Sequence, residues 1–165
     1  MQLAPSRILL TIARNMSPPA KVILSLEDNP DITSLIRLVL RQAPVQVVSA
    51  LSADEAWPEL NKQKPDLILL DMMLPGTSGL DFLIKLRADP RFTIVPVIVI
   101  SIRSDTSFRR RAQELGVARY LLKPFSPAVL RQEVEQALGV DWKKYWTSPT
   151  TSLPTVTTTE NLDSD

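Results

Sequence analysis

Four places in the chain put reactive side chains where they could act together: the pair Glu27 and Asp28, then Asp71, Ser101 and Lys123. Each follows a short apolar run: V-I-L-S-L before Glu27, L-I-L-L before Asp71, V-I-V-I before Ser101 and Y-L-L before Lys123. Brought together, three carboxylates and one ammonium leave two net negative charges, and crowded like charges raise their own pKa values unless a cation compensates. An all-oxygen donor set with an open face favours Mg²⁺, which keeps waters and is held by one or two carboxylates plus a phosphate. A carboxylate is also a nucleophile that can form an aspartyl phosphate. Charge on a transferred phosphoryl group would then be met by the metal on one side and Lys123 on another, with the Ser101 hydroxyl bonding an oxygen of the product.

Other chemistries are excluded by composition. The 165 residues include no histidine and no cysteine, which removes Ser-His and Cys-His catalysis, imidazole and thiolate metal sites, disulfides and any phosphohistidine carried by the chain itself. None of the four glycines sits in a G-x-x-x-x-G-K or G-x-G-x-x-G arrangement, so neither common nucleotide phosphate cradle is present. With a net charge of +1 and no apolar run of the roughly 18 residues a membrane span needs, the chain reads as one ordinary cytoplasmic domain with no membrane partner.

The elements that must position these side chains follow from the hydrophobic pattern. Apolar, β-branched runs at 22–26, 45–48, 67–70, 97–100 and 120–122 predict five strands. The third and fourth are apolar at every position, the pattern of parallel strands covered on both faces. Helical spacing follows each run, at 30–42, 52–63, 79–88, 106–115 and 126–138. Pro30 suits a first helical position, Ser52 and Ser126 suit N-caps, and Gly116 and Gly139 suit C-terminal stops. Pro58 predicts a kink or a late start in the second helix. Gly76 and Gly79 read as turn residues where the backbone leaves ordinary φ/ψ.

Five βα units with right-handed crossovers make a doubly wound α/β sheet of the flavodoxin-like kind. Ligands bind such sheets beyond the carboxyl ends of the strands, where strand order reverses. The second strand ends only in Ser49 and Ala50, as expected of an edge strand in the order 2-1-3-4-5.

The ends differ from the middle. Residues 1–20 read as an N-terminal extension, with Met16, just before Ser17-Pro18-Pro19, a candidate native start. Residues 21–139 form the predicted domain. Residues 140–165 read as a disordered tail, because nine of the thirteen residues 147–159 are Ser or Thr and cannot bury enough to order themselves. Trp142, Tyr145 and Trp146 would share one face of a short helix packing against the preceding one.

At 24–29 (L-S-L-E-D-N), 66–79 (D-L-I-L-L-D-M-M-L-P-G-T-S-G), 97–101 (V-I-V-I-S) and 120–125 (Y-L-L-K-P-F), the chain resembles the receiver domain of bacterial two-component response regulators, over roughly residues 21–138. The resemblance implies that Asp71 accepts a phosphoryl group from a histidine kinase or histidine phosphotransfer protein. It implies Mg²⁺ held by Asp28, Asp71 and the main-chain carbonyl of Met73, with Glu27 acting mostly through a metal-bound water. It implies Lys123 on the phosphoryl oxygens, a cis bond to Pro124, and Ser101 with Tyr120 as a switch pair acting on a surface of fourth helix, fifth strand and fifth helix.

Several positions depart from the family's commonest pattern. Glu27 replaces Asp, and a bulky Ile102 follows Ser101 where a small residue is usual. Ile102 would narrow access to Asp71. Met73 places an apolar side chain beside the site. From 103 to 123 there are six basic residues against two acidic, with Ala118 and Arg119 where the DNA-binding branch of the family carries acidic residues for pairing. The twenty-five residues after Val140 leave no room for a DNA-binding module, so the expectation is a stand-alone receiver with no direct DNA contact, acting on an unidentified downstream protein. The alternatives are an adaptor that uses the fold without phosphate, for which Ile102 speaks, and an Asp-nucleophile phosphohydrolase, against which Met73 speaks.

Overall fold

The computed structural model describes residues 20–145. Strands β1 (Lys21–Leu26), β2 (Val45–Ala50), β3 (Leu67–Asp71), β4 (Val97–Ser101) and β5 (Arg119–Leu122) form one sheet. It is parallel throughout, in the order β2-β1-β3-β4-β5. Every residue of β3 and β4 is buried, as their unbroken apolar runs require, while the edge strands β2 and β5 are only partly covered. The strands run further than the apolar pattern, so Asp71 and Ser101 are the last residues of β3 and β4.

The helices are α1 (Pro30–Leu40), α2 (Ala53–Lys62), α3 (Gly79–Ala88), α4 (Thr106–Glu114) and α5 (Pro127–Leu138). Each begins at a side chain that accepts from the first-turn N–H groups, which would otherwise lack partners: Asn29, Ser52, Ser78, Asp105 and Ser126. Helix α5 stops at Gly139, whose φ of 64° is the left-handed conformation that favours glycine. Pro58 causes no late start. Helix α2 opens at Ala53 and runs through it; the bond Pro58 cannot make would go to the carbonyl of Asp54, an exposed residue of the first turn.

Two apolar layers flank the sheet. On one face α2, α3 and α4 cover Leu24, Leu26, Leu70 and Val99; on the other, α1 and α5 cover Ile23, Leu69, Ile98 and Ile100. The second layer reaches past α5. Within the segment expected to be a tail from 140 onward, residues 140–145 instead follow the domain. Trp142 is buried in this layer, its backbone N–H donates to the Glu135 carboxylate at 2.8 Å, and Tyr145 packs beside it in a short 3₁₀ turn, Lys143–Tyr145. Trp142 and Tyr145 thus pack beside the preceding helix, as their spacing predicts. Trp146, the Ser/Thr-rich stretch and the extension before Ala20 lie outside the described residues.

Two polar devices and one close backbone approach brace the frame. Arg87 on α3 donates to four carbonyls, those of Phe92, Val95, Leu115 and Gly116, at 2.9–3.1 Å, tying α3 to the loop before β4 and to the end of α4. Asp66 closes the start of the sheet: its carboxylate accepts from the Val22 N–H at 2.8 Å and from the Lys21 ammonium at 2.9 Å, while its own N–H donates to the Val22 carbonyl. Gly79 opens α3 against the turn after β3, where an added Cβ would run into the Asp71 carbonyl and lie 2.5 Å from the Met72 Cα. The reason for glycine here is therefore close approach rather than unusual φ, whereas Gly76 does have a φ of +78°.

Two predictions follow from these braces. Burial alone would raise the Asp66 carboxyl, but the Val22 N–H and Lys21 outweigh it and hold it below the ordinary value. Its contribution is therefore complete above the unfolded-state pKa and disappears as pH falls through the lower folded-state pKa. Asp66→Ala is expected to lose about 1–2 kcal/mol at pH 7, reduced by solvent screening, with the gap to wild type closing between about pH 5 and pH 2. Urea unfolding across that range measures it, and a pH-independent gap would contradict it. Gly79→Ala is expected to cost about 1–3 kcal/mol, since backbone on both sides must give way; an unchanged urea midpoint would show that α3 is free to shift.

Candidate functional site

Because β1, β3, β4 and β5 run parallel in adjacent positions, their carboxyl ends open on the same rim of the sheet. Leu26 lies opposite Leu70, Asp71 opposite Ile100 and Ser101 opposite Leu122, so the residues that follow or end these strands come together. Glu27 and Asp71 are almost wholly buried, at 2% and 5% exposure, and Asp28 is exposed. One carboxylate oxygen from each of the three lies within 4.8 Å of the others.

Lys123 sits among them. Its ammonium donates to Asp71 Oδ2 at 2.5 Å and to Glu27 Oε2 at 2.7 Å. The backbone aims it: the Lys123 N–H donates to the Ser101 carbonyl at 2.9 Å, and the peptide bond to Pro124 is cis. The remaining carboxylate oxygens are also engaged. Glu27 Oε1 accepts from the Asn29 N–H at 3.2 Å, and Asp71 Oδ1 accepts from the Met73 N–H at 2.8 Å.

Burial pushes the Glu27 carboxyl above its ordinary value; the Lys123 bond opposes this and the charge of Asp71 adds to it. Burial would lower Lys123, but its bonds to Asp71 and Glu27 outweigh that and raise it, so it stays an ammonium. A pocket of this kind, acidic in sum and built only from oxygen donors, fits a small hard dication. The set of Glu27, Asp28 and Asp71 matches the Mg²⁺ site of receiver domains.

Around the pocket stand the remaining residues singled out in the sequence. Ser101 is buried at the end of β4, with its Oγ accepting from the Arg103 N–H at 3.1 Å. Tyr120 is half-buried and its hydroxyl donates to the Arg103 carbonyl at 2.9 Å. Met73 and Ile102 both lie open at the rim, 54% and 67% exposed. Asn29 carries a role the pattern did not disclose: its backbone N–H holds Glu27 while its side chain caps α1. An Asn just before Pro at a helix start signals the cap, but not the bond to Glu27. No helix among the described residues is long and apolar enough to cross a membrane.

Residues 23–135 match the response regulator receiver domain family. The phosphate regulon transcriptional regulatory protein PhoB of Klebsiella pneumoniae is 39% identical over 119 residues, 72% of this chain and 52% of PhoB. The chain thus spans about half the length of the curated relatives it matches. Among solved structures, the signal receiver domain of a signal transduction histidine kinase from Syntrophus aciditrophicus is 29% identical with a TM-score of 0.67, covering 79% of this chain and 99% of that one. The receiver domain of a sensor histidine kinase from Pseudomonas aeruginosa, which has a magnesium ion coordinated in its active-site cleft, is 28% identical with a TM-score of 0.66, covering 73% and 98%. An acidic pocket at the carboxyl rim of a 2-1-3-4-5 sheet, on a chain whose residues 23–135 carry the family's sequence, makes this protein a member of the response regulator receiver domains, a family of phosphoacceptor signalling modules rather than conventional enzymes.

Proposed function

We propose that Asp71 accepts a phosphoryl group from a phosphohistidine on a separate histidine kinase or phosphotransfer protein, and that this switches a protein-binding surface formed by α4, β5 and α5. The reading carries a cytoplasmic setting with it. The observation behind it is that the Lys123 ammonium bonds the buried carboxylates of both Asp71 and Glu27, with an oxygen of Asp28 within 4.8 Å of theirs. In the transfer, an Asp71 oxygen bonds to phosphorus as the bond from phosphorus to the donor imidazole breaks, leaving an acyl phosphate here and a free imidazole on the donor. With no histidine among these 165 residues, none of them can serve as the donor.

Each neighbour has work that its present bonds prepare. Lys123 exchanges its bond to Asp71 for one to a phosphoryl oxygen and keeps Glu27 as its second partner. The Ser101 hydroxyl accepts from Arg103 N–H, which leaves its own O–H free to donate to the phosphoryl group. Mg²⁺ held by Glu27, Asp28, Asp71 and the main-chain carbonyl of Met73 would neutralise charge on the transferring oxygens. Tyr120, bonded to the residue that also holds Ser101, would report the change to the α4 surface.

A second reading is an adaptor that uses the same surface without phosphate, supported by the bulk of Ile102, exposed directly after Ser101. Incubating wild type and Asp71→Asn with acetyl phosphate and Mg²⁺ separates the two. The expected outcome is a phosphate-dependent mobility shift in wild type that the mutant lacks; no shift in wild type would favour the adaptor, and multiple turnover would point to a hydrolase.

The lifetime of the product is a further prediction. Hydrolysis needs a water held in line with the acyl phosphate, and the open thioether of Met73 offers only a weak acceptor for orienting one. The phosphorylated state is therefore expected to persist well beyond seconds in the presence of Mg²⁺. Loss of label from Asp71 within seconds, followed by intact mass, would overturn this.

A further inference from the structure

Helix α4 is the least anchored helix on its face of the sheet. Ala112 is its one buried residue, with Phe108 and Leu115 half-buried beside it. Its carboxyl end is nonetheless fixed, because the Arg87 guanidinium grips the carbonyls of Leu115 and Gly116. The amino end is held differently, chiefly through Arg103 in the loop that leaves β4. Arg103 donates its N–H to Ser101 Oγ at 3.1 Å and accepts on its carbonyl from the Tyr120 hydroxyl at 2.9 Å. Its side chain reaches forward along the helix: Nε donates to Asp105 Oδ2 at 3.0 Å, and the guanidinium carbon lies 4.2 Å from the centre of the Phe108 ring.

Asp105 is the N-cap of α4, and its other oxygen accepts from the Phe108 N–H and the Ser107 hydroxyl. Bonding to Arg103 holds its carboxyl below the usual carboxylate range, which keeps the cap charged. Arg109, one residue further along, places its guanidinium 5.2 Å from the centre of the Tyr120 ring, a second link between helix and strand.

We propose that Arg103 is the positioning residue that joins the phosphorylation site to α4, its peptide groups linking Ser101 to Tyr120 and its side chain carrying their displacement to the cap and first turn of the helix. The inference rests on the reading of Ser101 and Tyr120 as the switch pair and adds the part that moves α4. A helix pinned at Leu115 and steered at Asp105 responds by pivoting about its carboxyl end. The side chain has to be arginine for this: only a planar guanidinium lies flat on an aromatic ring while presenting Nε–H edge-on to a carboxylate. A lysine at 103 keeps the charge pair and loses the stack.

Amide spectra of the ¹⁵N-labelled full chain, recorded with and without acetyl phosphate and Mg²⁺, test this, with intact mass reporting phosphorylation in parallel. In wild type the amides of Thr106–Glu114 shift on phosphorylation, most at the amino end. Arg103→Ala is expected to take the label at Asp71 yet lose most of that shift. Arg103→Lys retains part of it, and Phe108→Leu, which keeps an apolar side chain but no ring face, behaves like Arg103→Lys. A labelled Arg103→Ala chain whose α4 shifts as in wild type overturns the proposal. Failure of wild type to take the label counts against the phosphoacceptor reading instead, and the unphosphorylated spectra then decide: Arg103→Ala moves Tyr120 and the first turn of α4 while Leu115 stays, or the coupling is absent.

Discussion

The structure is organised around the placing of two carboxylates and an ammonium where water barely reaches. Glu27 and Asp71 are buried side by side, and an isolated charge in such a place would lose most of its hydration with nothing in return. Lys123 makes the arrangement tolerable by bonding to both, and its own pKa rises because the two acceptors outweigh its burial. A third carboxylate, Asp28, stands at the water side, so the sum stays negative and the pocket is short of one cation by construction. Such a site works only if the backbone keeps the groups from drifting apart. The parallel sheet provides this, since the side chains sit on strand ends whose interiors are wholly apolar and close-packed.

The same requirement explains what could be read from the sequence and what could not. Continuous apolar runs at β3 and β4, half-apolar runs at the edges, and acidic, hydroxyl or ammonium groups at the run ends are local features, so sheet type, strand order and pocket membership were legible. The bracing contacts were not. Arg87 meets the carbonyls of Leu115 and Gly116 twenty-eight and twenty-nine residues away, and Asp66 meets Val22 across forty-four. No periodicity encodes a partner at that distance; only the folded geometry makes an ordinary surface-type arginine or aspartate into a brace. Gly79 shows a subtler gap, because glycine in a turn suggests positive φ before it suggests the approach of another backbone. The packing of Trp142 and Tyr145 against the layer beside α5 was legible, because their spacing puts both on one face.

The two faces of the sheet are held with unequal firmness. On the α1 and α5 side, the apolar layer is extended by Trp142 and Tyr145, and the Glu135 carboxylate ties the turn after α5 back onto the helix. On the other side α4 presents one buried alanine and a row of arginines to solvent, three of them consecutive at 109–111. Two of these share Glu114, so the helix surface is only partly neutralised. Elements that move in a switch come from the weakly buried end of a fold's stability range. By that criterion α4 is the mobile candidate and the α1 and α5 layer the fixed reference.

A buried charge cluster and a loosely held helix serve one another. Exposed ion pairs contribute little and can be remade at small cost, which suits the α4 surface, where Arg103 with Asp105 and Arg111 with Glu114 are all open to solvent. Pairs inside the pocket are the opposite: changing the charge on one member forces the others to find new partners, because none can fall back on water. A phosphoryl group added at Asp71 would replace one carboxylate acceptor of Lys123 by stronger ones and offer an acceptor to Ser101. That rearrangement has to be absorbed where the surrounding contacts are weakest. From the Ser101 hydroxyl the hydrogen bonds run through Arg103 toward Tyr120 and the cap of α4, so the energetic contrast between pocket and surface sets the direction in which the change travels.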